Sequence, residues 1–85
     1  MPEICRFYGI LIMMFHNDHN PPHFHVSYQE YDAIIYIEDG TIKGEMPRRA
    51  IKLIYDWLDL HKEELLQNWE LARLNEMLFK IEPLK

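Results

Sequence analysis

The sequence predicts an α+β fold: an antiparallel β-meander of three to four strands packed against one long or two consecutive C-terminal helices. Three observations carry this. The apolar period changes once, near Pro47. Before it, residues alternate, with Phe24, Val26 and Tyr28 on one face and His23, His25 and Ser27 on the other, which is the two-residue period of a strand. After it, Ile51, Ile54, Leu58, Leu65, Trp69 and Ala72 recur at helical spacing. A chain of 85 residues has room for one domain, residues 1–85, and neither a repeat nor a linker divides it.

Taken in order, Tyr8 to Phe15 is apolar on both faces and reads as a central, doubly covered strand. The polar stretch His16 to Pro22 must be a loop, because two consecutive prolines remove two ladder donors and stiffen the chain. His23 to Tyr28 is the second strand, and Gln29-Glu30 is a turn. Tyr31 to Ile37, rich in β-branched and aromatic residues, is the third. Asp39-Gly40 suggests a two-residue type I′ hairpin into a short strand over Thr41 to Glu45. Pro47 suits the start of a helix, where its missing N–H costs nothing. The helix runs from Arg48 to Leu74, whole or broken near Leu60-His61. Phe79 to Leu84 is expected to return as a short edge strand, with Pro83 tolerated there.

Composition narrows the function. Apolar residues make up 48%, too many for a disordered chain. The one cysteine, Cys5, cannot form an intrachain disulfide. The first residues lack the basic and apolar regions of a secretory leader. The run Ile10 to Phe15 is far short of the ~20 residues that span a bilayer. A cytoplasmic protein with no membrane association is the expectation. Net charge is −5, which opposes broad binding to phosphate backbones and leaves room only for a local anion site or a basic partner. A core this small would gain from a partner or from a homodimer.

Chemistry concentrates in His16, His19, His23 and His25, four of the five histidines. His-x-His on a strand puts two imidazoles on one face with Cα atoms roughly 6.6 Å apart. Three readings stay open. His19, His23 and His25 would leave one position open on a divalent metal such as zinc, with Asp18 as a fourth ligand or as the group that fixes a tautomer. The same three histidines would otherwise act without metal as general acid and base in phosphodiester cleavage. Or the imidazoles simply satisfy loop carbonyls. His16 and His61 are placed as supporting groups; His61, on the helical apolar stripe, would be brought toward the other histidines by a helix packed over the sheet, or is a core histidine with one hydrogen bond.

Arg48 and Arg49 open the helix at its positive end, an unfavourable place for cations. They would bind an anionic substrate group; the alternative is pairing with Glu45 or plain exposure. Trp57 and Trp69 are expected as core or interface anchors. None of the five tyrosines is selected by spacing. Cys5 is expected to be an inert buried thiol.

Several strings bear a resemblance. Arg6-Phe7-Tyr8-Gly9-Ile10, Asp18-His19-Asn20-Pro21-Pro22-His23-Phe24-His25, Leu60-His61 with Glu64-Leu65, Asn68-Trp69 and Lys80 to Leu84 are similar to a small bacterial family, domain of unknown function 4160. Met46-Pro47-Arg48-Arg49 resembles that family's helix start. The resemblance implies a toxin of a bacterial type II toxin–antitoxin pair, of the DhiT type. Its partner would be a small antitoxin-like protein encoded nearby, and its target would be RNA. It carries over to Asp18, His19, His23, His25 and His61. The remaining alternatives are a metal-binding module or small metal-dependent hydrolase, and a non-catalytic interaction domain.

Overall fold

A computed structural model describes residues 3–16 and 19–84. Five antiparallel strands follow one another in chain order across one sheet: β1 (Glu3–Phe7), β2 (Ile10–Met13), β3 (His23–Tyr28), β4 (Tyr31–Tyr36) and β5 (Ile42–Gly44). One helix, α1 (Arg48–Arg73), follows. The α+β meander is as expected, but with five strands.

The extra strand comes from Tyr8-Gly9. Both residues take left-handed backbone, φ 50° and 80°, and close a hairpin in which Phe7 pairs with Ile10. The run read as one strand from Tyr8 therefore begins only at Ile10. Its inner residues Ile10, Ile12 and Met14 are fully buried, while Leu11 on the other face is half-buried. β2 is an inner strand rather than the central one, and α1 covers only one side of it.

The β4–β5 connection also differs from expectation. It uses four residues, Ile37 to Gly40, closed by Tyr36 N–H to Thr41 O and Gly40 N–H to Tyr36 O, both at 2.9 Å. Only Gly40 has positive φ, and Ile37 is buried, so the apolar residue is drawn into the core rather than extending the ladder. Asp39 Oδ1 accepts the Thr41 N–H at 2.9 Å.

α1 buries Ala50, Ile54, Trp57, Leu58, Leu65, Asn68, Trp69 and Ala72. It is one helix with a kink at His61, whose φ of −126° and ψ of 24° are not helical. A straight helix of 26 residues would run about 39 Å, beyond the molecule's longest extent of 33 Å. The bend brings Trp69 round to the start of β3.

Residues 79–84 form no strand. Ile81 N–H donates to Ile4 O, but the neighbouring backbone groups bond to side chains. Asn68 donates to Phe79 O at 2.9 Å and accepts Phe79 N–H at 3.0 Å, and Trp57 Nε1 donates to Glu82 O at 2.8 Å. The helix supplies the bonds that a strand partner would have made.

Candidate functional site on the sheet face away from the helix

The two-residue turn at Gln29-Glu30 pairs Tyr28 with Tyr31 and so fixes the whole β3–β4 register. His23 lies opposite Tyr36, and His25 opposite Ile34. His25 also pairs with Met13 on β2, and Ile34 with Lys43 on β5. Met13, His25, Ile34 and Lys43 thus form one row across the sheet. The inner core contains every other buried apolar side chain but not Met13, which lies on this outer face.

The two histidines come together here, with ring centroids 5.3 Å apart. Their surroundings differ. His23 is 6% exposed, its ring 5.6 Å from Tyr36 and 5.1 Å from Trp69. Its Nδ1 lies 2.9 Å from the Pro21 carbonyl oxygen. A carbonyl only accepts, so Nδ1 carries the proton and donates. In the neutral ring this leaves Nε2 as the basic nitrogen. The Pro21-Pro22 segment, with a cis Asn20–Pro21 bond, sets that acceptor.

His25 is half-buried and meets Phe15 edge-on at 4.5 Å. It borders a groove of about 410 Å³ with Met13, Phe15, Ile34, Asp32 and Lys43. The floor is apolar, the wall is aromatic, and the rim carries one cation and one carboxylate. Lys43 Nζ sits 5.5 Å above the Tyr36 ring.

The other expected site residues are distributed more widely. His19 is exposed in the loop before β3. Asp18 lies outside the described residues. His16 Nε2 is 2.7 Å from the Glu76 carbonyl oxygen and ties the loop to the segment after α1. His61 Nδ1 is 2.6 Å from Glu64 Oε1, and its ring packs 5.6 Å from Trp57. Arg48 and Arg49 are exposed, and neither borders the His25 groove. Arg49 instead edges a hollow with Tyr8, Tyr28 and Leu53. Among the described residues, no three His, Cys, Asp or Glu side chains gather as a metal site would require.

Sequence reading missed Phe15, Asp32, Tyr36 and Lys43. The turn at Gln29-Glu30 was the available signal, since a two-residue loop there selects Tyr36 out of five tyrosines. Lys43 had none, because the β4–β5 register depends on how Ile37 is buried.

Fold and site define a class: a small α+β protein whose β-meander carries a histidine pair, His23 buried against Trp69 of the helix and His25 bordering an apolar groove on the outer face. A model of one family, a domain of unknown function (DUF4160), matches residues 9–70. The chain belongs to that family, and the match spans every residue of the groove. No curated protein and no solved structure matches the chain.

Proposed function

We propose that this protein is the toxin half of a type II toxin–antitoxin pair and that it cleaves single-stranded RNA on the outer sheet face. One observation carries the reading: His25, its ring 5.3 Å from that of His23, stands with Phe15 at the edge of an apolar groove. Unpaired bases stack on aromatic and imidazole rings, whereas a duplex hides its bases from such a surface.

The chemistry needs two proton transfers. A base takes the 2′-hydroxyl proton, the 2′-oxygen attacks phosphorus, and an acid protonates the departing 5′-oxygen. The products are a 2′,3′-cyclic phosphate and a free 5′-hydroxyl. His25 and His19 are the accessible imidazoles for these steps. His23 is too buried to touch the phosphate and acts as a positioning residue beneath His25.

Expression without a partner should arrest growth, and purified protein should leave cyclic phosphate ends on single-stranded RNA. His25→Ala should lower the cleavage rate by about 10²–10⁴-fold. Undiminished cleavage by both His25→Ala and His19→Ala would remove the imidazoles from the reaction. Loss of cleavage on chelation, restored by zinc, would reassign them as metal ligands.

A further inference from the structure

Two charges border the groove, and neither is spent on the other. Asp32 and Ile34 are two residues apart on β4, so their side chains share the outer face. Lys43 pairs with Ile34 from β5. Asp32 and Lys43 therefore flank one apolar residue. Among the described residues they form no ion pair, and the Asp32 carboxylate takes no hydrogen bond. The ammonium rests over the Tyr36 ring instead. Ile34 lies between them, and beyond it in the same row come His25 and then Met13, with Phe15 against the His25 ring.

This arrangement describes its ligand. A flat aromatic ring would lie on the floor, against the Phe15 and His25 rings. Its phosphate would go toward Lys43. Its edge would meet a carboxylate, which only accepts hydrogen bonds. Two adjacent N–H donors on that edge would engage both carboxylate oxygens. Guanine has that edge, in N1–H and the 2-amino group. Adenine and cytosine each set a ring-nitrogen acceptor beside their amino group. Uracil flanks its single N–H with two carbonyl oxygens. Each of these other bases would bring a lone pair against the carboxylate.

We infer that the groove is a guanine subsite, with Asp32 as the residue that selects the base. This rests on the proposed action on RNA and names the nucleotide that action would prefer.

The test uses the intact protein, carrying His19→Ala to prevent turnover. Short fluorescent oligouridylates with one central guanosine, inosine or adenosine are titrated by anisotropy. Inosine keeps N1–H but lacks the 2-amino group. Guanosine should bind about tenfold more tightly than inosine, the worth of one good base-edge contact. Asp32→Asn should bring the two within about twofold, and His25→Ala should weaken guanosine binding about tenfold through lost stacking. Equal binding of guanosine and inosine, still weakened by His25→Ala, overturns the guanine assignment and leaves the RNA reading standing. No binding, or binding indifferent to His25→Ala, overturns both.

Discussion

Asn68 is fully buried and directs both ends of its amide to the backbone of Phe79. Its position on the apolar face of α1 would suit a leucine in size, but a leucine would orphan one N–H and one C=O. Asn68→Ala is expected to cost about 2–4 kcal/mol, since each group left unsatisfied in the interior costs about 1–3 kcal/mol. Urea unfolding would show it as a lower midpoint. An unchanged midpoint would mean the segment after α1 contributes nothing to stability. Gly44 has a similar single-residue role at the groove. Its φ is 112°, and a Cβ there would lie 2.6 Å from Asp32 O and 2.9 Å from the Ala33 Cα. Gly44→Ala should push β5 off β4 and displace Lys43, visible as shifted amide resonances across Ala33 to Ile35. Burial raises the Cys5 thiol pKa above its ordinary 9.0. The neutral thiol is the form the fold favours. Its contribution is therefore whole below the unfolded pKa and is lost as pH rises through the higher folded value. Cys5→Ala should flatten the alkaline fall in melting temperature.

Among the elements, the β1–β2 hairpin carries visible strain. Tyr8 is 60% exposed yet sits at φ 50°, in a turn position that Asn, Asp or Gly fills at less cost. Left-handed backbone costs an ordinary residue about 1–2 kcal/mol. Tyr8→Asn should therefore raise stability by up to about 1 kcal/mol, equal to roughly 4–8 °C in melting temperature for a chain of this size. A fall instead would mean that the edge-on packing of Tyr8 against Phe7, at 6.3 Å, outweighs the strain. The kink in α1 has a different character. No glycine or proline lies in Arg48–Arg73, and the bend falls on His61, gripped by Glu64 and Trp57. The sequence left open whether the helix runs whole or breaks near Leu60-His61, and the structure bends it at His61. Sequence could not show that the two halves stay joined, because that depends on what lies beneath each of them.

For the whole molecule, charge sets the manner in which RNA could be held. Net charge is −5, and the groove offers one cation, Lys43. Arg48 and Arg49 border other surfaces. Single-strand binding should therefore depend weakly on salt, with a logarithmic slope near −0.7, as expected for about one phosphate neutralised. A slope of −3 or steeper would place the backbone along Arg48, Arg49 and Lys52 instead. No helix among the described residues is long and apolar enough to cross a membrane.

What the residues determined alone was local: alternation in β3, the helical stripe beyond Pro47, and a shared face for His23 and His25. Each follows from a backbone period that needs no knowledge of distant contacts. The tertiary structure decided the rest. It turned the chain at Tyr8-Gly9, where a tyrosine masks the turn, adding a strand over Glu3–Phe7 and starting the expected one at Ile10. It held residues 79–84 by side chains rather than by a ladder. It buried His23 beneath Trp69, 46 positions along the chain, and left His25 at the groove. Those outcomes depend on which surfaces meet after the chain closes on itself, and a period carries no information about that.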